Sequence, residues 1–196
     1  MKLKSIIFIV LAVFTQIANA QTFGIKGGVN FAKMTDLGYT QKSIIGFHFG
    51  PVVDYKLRES LYFNSGLLYS LKGVKTEGMG EYGKDIWTLK LNCVEIPLNI
   101  AYKYSLGETS KIFIQAGPCI GYTINGKNDT GEKSYNVHFG NENQLRRFDF
   151  GISIGAGYEF HSLVTNLSYQ LGRNQFDSPD VTSRNKVLQL SVAYMF

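Results

Sequence analysis

The chain has 196 residues, enough for one domain, with 44% apolar and 18% charged residues. Its formal charge of +5 is scattered with mixed signs, which excludes a concentrated nucleic-acid-binding face. No apolar run reaches the roughly 20 residues of a spanning helix, so any membrane crossing falls to strands.

The first 20 residues read as a secretory signal peptide. Lys2 and Lys4 form the basic n-region, Ser5 to Phe14 the apolar stretch, and Ala18-Asn19-Ala20 the small-residue cleavage pattern before Gln21. Their removal deletes two lysines and no acid, leaving a charge of +3. Residues 21–196 then form one exported domain.

Eight strands are predicted in that domain, each alternating apolar and polar faces. The first, Thr22 to Lys33, sets Phe23, Ile25, Val29 and Phe31 against Lys26, Gly28 and Asn30. The second, Ile44 to Lys56, sets Phe47, Phe49, Val53 and Tyr55 against His48, Gly50 and Asp54. The third, Leu61 to Lys72, sets Leu61, Phe63, Leu67, Tyr69 and Leu71 against Asn64, Gly66 and Ser70. The fourth, about Trp87 to Tyr104, sets Val94 to Tyr104 at alternate positions against Glu95, Asn99 and Lys103. Before Cys93 its apolar parity moves to Trp87, Leu89 and Leu91, which predicts a bulge or an extension beyond the bilayer.

The fifth strand, Lys111 to Ile124, sets Ile112, Ile114, Ile120 and Tyr122 against Gln115, Gly117 and Thr123. The sixth, Arg146 to Phe160, sets Phe148, Phe150, Ile152, Ile154 and Tyr158 against Asp149, Ser153 and Glu159. The seventh, Leu163 to Gly172, sets Leu167, Tyr169 and Leu171 against Asn166, Ser168 and Gln170. The last, Val187 to Phe196, sets Leu188, Leu190, Val192, Tyr194 and Phe196 against Gln189, Ser191 and Ala193.

The connections alternate in length. Met34–Ser43, Gly73–Ile86, Asn125–Leu145 and Arg173–Asn185 are long; Leu57–Ser60, Ser105–Ser110 and His161–Ser162 are short. Outer-membrane barrels pair short periplasmic turns with long external loops. An open sheet edge in lipid would leave backbone groups unpaired, so the strands must close on themselves. The predicted fold is all-β: an eight-stranded antiparallel up-and-down transmembrane barrel in the bacterial outer membrane, with both termini periplasmic. Aromatic belts are predicted at Phe23, Tyr55, Phe63, Tyr102, Tyr104, Phe160 and Phe196, and at Phe31, Phe47, Tyr69, Tyr122 and Phe148.

Eight strands leave a lumen just wide enough for side chains to fill. Tyr62 and Phe113 point inward near the short turns, so no open pore is expected. The polar contents fall in two levels. Lys26, Asp54, Lys103 and Glu159 lie nearer the short turns; His48, Glu95, Arg147 and Asp149 lie nearer the long loops. Buried charges must pair, so the expectation is a structural network, with Glu95→Gln and Asp149→Asn both lowering stability. Cys93 and Cys119 are expected as two free, lumen-facing thiols, because their offset on neighbouring strands exceeds disulfide reach.

Three histidines scatter without metal-ligand spacing, and the glycine-rich stretches open no helix, so neither metal nor cofactor is expected. His161-Ser162 near Glu159 could make a hydrolytic set on a barrel, but the pair fills a two-residue turn, and no catalytic residue is assigned.

Phe23-Gly24-Ile25-Lys26-Gly27-Gly28-Val29-Asn30, Val94-Glu95-Ile96-Pro97-Leu98, Gly117-Pro118, Phe148-Asp149-Phe150-Gly151 and Gly155-Ala156-Gly157-Tyr158-Glu159 resemble the PorT-like outer-membrane β-barrel family of Gram-negative bacteria. The resemblance covers essentially the whole mature chain, though Asn166 stands where such proteins often carry a basic lumen residue. It implies the outer membrane and this fold, with Phe196 as a signal read by the barrel-insertion machinery. The partners expected are outer-membrane lipid, that machinery during assembly, and a protein or surface ligand at the long loops, with no nucleic acid. The function expected is a structural or surface-binding role with a filled lumen. An accessory role in secretion or envelope assembly and a lipid-modifying activity are the alternatives. Asn125–Leu145, with Lys127, Asp129, Glu132, Lys133 and Glu142, is the expected binding loop.

Overall fold

The computed structural model describes residues 21–35, 40–80, 83–130, 133–137, 139, 146–172 and 184–196. The signal segment 1–20, Glu132, His138, Glu142 and most of Arg173–Asn185 lie outside the described residues. Strand segments are numbered in chain order: β1 Gln21–Thr35, β2 Thr40–Lys56, β3 Leu61–Gly66, β4 Leu68–Gly80, β5 Gly83–Ser105, β6 Ser110–Asp129, β7 Ser134–Asn136, β8 Phe148–Phe160, β9 Leu163–Gly172 and β10 Arg184–Met195.

All pairings are antiparallel, and apart from the closing pair of β1 with β10 they join staves that are neighbours in the chain. β3 and β4 form one stave interrupted at Leu67, so eight staves run β1, β2, β3/β4, β5, β6, β8, β9, β10. β10 returns to β1 in an unbroken register from Gly24↔Met195 to Thr35↔Arg184, and the ring closes. The Phe196 amide donates to the Phe23 carbonyl at 2.7 Å, which fastens the last residue to the first strand.

The wall is inverted relative to a water-soluble core. On β8, Phe150, Ile152 and Ile154 are 53%, 62% and 61% exposed, whereas Ser153 between them is 2% exposed. The same pattern recurs on β1, β2, β5, β6, β9 and β10. Buried side chains are mostly polar, with Asn30, His48, Ser70, Glu95 and Gln189 almost completely enclosed. Such an apolar outer surface is stable in lipid rather than water. Among the described residues no helix is long and apolar enough to cross a membrane.

Aromatics cluster by height. Near the long loops, Phe47, Phe49 and Tyr69 pack with ring centroids 5.6–6.3 Å apart, and Tyr122 meets Phe148 edge-on at 5.0 Å. At the opposite end Tyr158 stacks on Phe160, and Tyr194 meets Phe196 edge-on at 5.6 Å. We call the two ends the loop end and the turn end.

The bulge lies on β6, not β5. Asn92 pairs with Asn125 but Cys93 pairs with Thr123, so Ile124 is the extra residue. The inward parity of β5 is unbroken: Leu91, Cys93, Glu95, Asn99, Ala101 and Lys103 are all buried. Leu89 and Leu91 turn inward because the mouth is apolar there. Val74, Leu91 and Cys93 form a buried cluster, with Leu89, Val137 and Phe139 packed on it.

The long connections are shorter than the apolar alternation suggested. β4 continues to Gly80 and β5 begins at Gly83, so most of Gly73–Ile86 is strand. β1 and β2 likewise extend to Thr35 and from Thr40. Hydropathy alternation stops at the bilayer edge, but the hydrogen-bond ladder of a hairpin does not. One side of the loop end therefore rises as a sheet formed by β2, β4, β5, β6 and the short β7.

Cys119 pairs with Pro97, four residues along β5 from Cys93, an offset of roughly 13 Å. Both thiols are free and buried. The folded protein in detergent should resist a bulky maleimide and yield two titratable thiols on unfolding. Rapid labelling of the folded state, or fewer than two thiols afterwards, would contradict this packing.

Candidate functional site: the lumen

Strand parity points the lumen side chains inward; register decides which ones meet. At the turn end Lys103 on β5 is the hub. Its ammonium pairs with Asp54 on β2 and with Glu159 on β8, the latter at 2.6 Å. Lys111, directly opposite Glu159 across β6 and β8, takes the other Glu159 oxygen at 2.9 Å. The Asn64 amide donates to Asp54 at 2.6 Å. Beneath this layer the Tyr62 ring lies 4.4 Å from the Lys103 ammonium, and Phe113 lies 5.8 Å from it. Phe113 rests on Gly157, where a Cβ would collide with its ring.

In the middle His48 bridges the lumen. Its Nδ1 lies 2.8 Å from Asn30 Oδ1 and its Nε2 2.9 Å from Ser191 Oγ. Asn30 also donates to Ser70 Oγ and to the Phe47 and Leu71 carbonyls at 3.0–3.1 Å. Gly28 makes room for the imidazole, since a Cβ there would sit 2.7 Å from His48 Cε1. These two partners orient the ring and tie β1, β2 and β10 together.

Nearer the loop end Lys72 on β4 pairs with Glu95 on β5 and donates to Gln170 on β9 at 2.9 Å. Gln170 reaches Cys119 Sγ at 3.6 Å, and that thiol faces Glu95. Asp149, Asn185 and Gly172 surround a void of about 10 Å³ beside this pair, room for roughly one water. Glu95 Oε2, Asp149 Oδ1 and both Asn185 polar atoms have no protein partner there.

Lys26 lies between the layers. It makes no ion pair among the described residues and lines a cavity of about 70 Å³ with Asn64, Asn99, Gln115, Asn166 and Ser191. That space has room for a handful of waters. The turn-end layer is balanced, Lys103 and Lys111 against Asp54 and Glu159, and the loop-end ion pair is Lys72 with Glu95.

A profile of the family described as "Outer membrane protein beta-barrel domain" matches residues 16–177. The chain belongs to that family. This outer-membrane barrel also resembles solved barrels at low sequence identity. Neisserial surface protein A is 15% identical, with a TM-score of 0.52 over 89% of this chain and 97% of that one. The attachment invasion locus protein Ail of Yersinia pestis is 14% identical, with a TM-score of 0.47 over 90% and 99%. OprG of Pseudomonas aeruginosa is 11% identical, with a TM-score of 0.49 over 90% and 96%. No curated protein matches the sequence.

Of the eight lumen residues singled out from sequence, seven lie on the inner face of the barrel and one does not. Arg147 is exposed at the rim. Its guanidinium donates to the Thr123 and Ile124 carbonyls at 3.1 and 2.8 Å and lies 4.4 Å from the Phe139 ring. Those carbonyls belong to the β6 bulge, so Arg147 clamps the bulge instead of entering the lumen. Two lumen cations escaped the sequence reading. Lys72 ended the predicted third strand, although it shares the inward parity of Ser70. Lys111 began the fifth, and only the β6–β8 register sets it opposite Glu159.

His161 and Ser162 form the β8–β9 turn, His161 with φ of 53°. Among the described residues no hydrogen bond joins them to each other or to Glu159, whose oxygens are held by Lys103 and Lys111. No group of three or more His, Cys, Asp or Glu among the described residues could hold a metal ion.

Proposed function

We propose that this outer-membrane barrel is a filled, non-conducting scaffold that presents a binding surface at its loop end, and that it is not an enzyme. The observation that carries the reading is a lumen crossed by ion-paired side chains, with apolar groups packed at each end. Lys103 on Tyr62 and Phe113 blocks the turn end, and Val137 and Phe139 pack down on Val74, Leu91 and Cys93 at the loop end. Among the described residues the two ion-paired layers leave voids of about 70 and 10 Å³, and a space of about 370 Å³ lies outside Lys103 and Tyr62 at the turn end.

The expected loop surface follows from the same packing. Val137 N–H donates to the Gly126 carbonyl at 2.9 Å, which pins β7 against β6 and leaves Tyr135 54% exposed. Lys133 and Tyr135 thus stand on a fixed support rather than a free loop, which lowers the ordering cost of binding a surface ligand. Gln21 and Phe196 lie at the turn end, which this reading assigns to the periplasm. The finer placement in the PorT-like branch rests on the Glu-Ile-Pro-Leu stretch and its companions, and an accessory role in secretion or assembly accompanies that placement.

Planar-bilayer recordings should show no conductance steps from the purified barrel; stable steps would overturn the filled lumen. A cysteine replacing Tyr135 should react with an impermeant maleimide on intact cells, and one replacing His161 only after permeabilisation. The reverse pattern would invert the orientation.

A further inference from the structure

The outer face of the loop end carries a charge pattern that sheet physics disfavours. Three lysine pairs stand directly opposite each other on neighbouring strands: Lys33↔Lys186 on β1 and β10, Lys42↔Lys75 on β2 and β4, and Lys90↔Lys127 on β5 and β6. Directly opposed residues share a face of the sheet, and like charges so placed repel.

Alternation decides which face. Ala32, Val74, Thr76, Leu91, Gly126, Asn185 and Val187, next to Lys33, Lys75, Lys90, Lys127 and Lys186 in the chain, are buried inward, and Lys42 shares the face of Lys75 opposite it. The lysines therefore point out of the barrel. They fall on six strands adjacent in the ring, β10, β1, β2, β4, β5 and β6. Lys33, Lys75, Lys90, Lys127 and Lys186 make no ion pair among the described residues. On the opposite side, β8 and β9 carry outward Phe148, Phe150, Tyr169 and Leu171 instead.

Height is set by the register. Tyr69, Val94 and Tyr122 are aligned across β4, β5 and β6 in the loop-end aromatic belt. Lys90 lies four residues beyond Val94, Lys75 six beyond Tyr69, and Lys33 two beyond Phe31. At about 3.3 Å per residue and a strand tilt of 35–45°, these offsets amount to roughly 5–15 Å above the aromatics. Aromatic belts mark the membrane interface, so the lysines lie in the adjoining headgroup layer.

We propose that this lysine belt docks the phosphate groups of an anionic, multiply phosphorylated lipid in the loop-end leaflet. Charge complementarity supplies the attraction, and bound phosphates would cancel the repulsion built into the Lys33–Lys186 and Lys90–Lys127 pairs. A lipid fits better than a soluble polyanion because the lysines face the bilayer side of the wall, continuous with the aromatic belt, and not the mouth. The inference requires the barrel to span the outer membrane, and it stands independently of whether the lumen conducts.

The test compares the wild-type barrel with a variant carrying Lys33→Gln, Lys75→Gln and Lys90→Gln, one change in each pair. Thermal unfolding is followed in phosphatidylcholine nanodiscs, alone or doped with diphosphorylated lipid A or its dephosphorylated form. The wild type should gain thermal stability from the phosphorylated lipid alone, and the variant should lose that gain with at least tenfold weaker lipid retention. In undoped discs the variant should be as stable as the wild type or more so, because repulsion is relieved. Lys90→Glu, which supplies Lys127 with a partner inside the sheet, should give the same opposed pair of effects and covers misfolding of the triple variant. Equal stabilisation by dephosphorylated lipid, or a variant that keeps the full gain, would overturn the proposal. Equal stabilisation of the detergent-solubilised barrel by soluble inositol hexakisphosphate would overturn the lipid as occupant.

Discussion

Lys72→Met should lower the stability of the folded barrel in detergent by about 3–5 kcal/mol, the cost of breaking a buried ion pair from one side. The Lys72 and Glu95 side chains are only 4% and 2% exposed. Without the ammonium, Glu95 keeps one weak thiol contact, its second oxygen has no partner already, and Asp149 borders the same void. The double change Lys72→Met with Glu95→Leu should recover much of the loss, since removing both charges removes the desolvation cost of each. Denaturant unfolding read by heat-modifiable gel mobility measures both. A Lys72→Met protein within 1 kcal/mol of wild type would show that the pair carries no structural weight. Glu95→Gln should destabilise in the same direction. Asp149→Asn should not, contrary to the expectation from sequence. Asp149 has no cation within ion-pair distance among the described residues, so its amide removes a buried charge without stranding another.

Lys103→Met should cost about 3 kcal/mol at the turn end, by the same physics. One ammonium there answers two carboxylates, and its side chain is 5% exposed. Its loss leaves Asp54 with only the Asn64 amide, while Lys111 still holds Glu159. Lys111→Met should cost less than about 1 kcal/mol, because that side chain is 30% exposed and water screens the pair. The ordering, Lys103 well above Lys111, is the discriminating result in parallel unfolding curves. Equal losses would mean that burial is not what sets the strength of this layer.

Much of the barrel was legible along the chain. Alternation on β8, Phe148-Asp149-Phe150-Gly151-Ile152-Ser153-Ile154, needs no distant partner to state which side chains meet lipid. The same local rule placed His48, Asp54, Glu95, Lys103 and Glu159 inside. Closure followed too, because an open edge in lipid has no partner for its backbone groups.

The rest depended on register and height, which link residues far apart in sequence. His48 meets Ser191 across 143 positions, and Lys72 meets Gln170 across 98. No periodicity within one strand encodes such a meeting. For the same reason the reading placed Arg147 in the lumen: its parity fitted, but the one-residue bulge at Ile124 on the neighbouring strand offered it carbonyls at the rim. The continuation of β4 and β5 past the apolar pattern was hidden because backbone pairing, not hydropathy, extends a hairpin into water. The terminal segment Leu188 to Phe196 shows both sides of this division. Its outward apolar face is local and was readable at once; its role as the seam was decided by β1, which supplies the register and the Phe23 carbonyl that hold it.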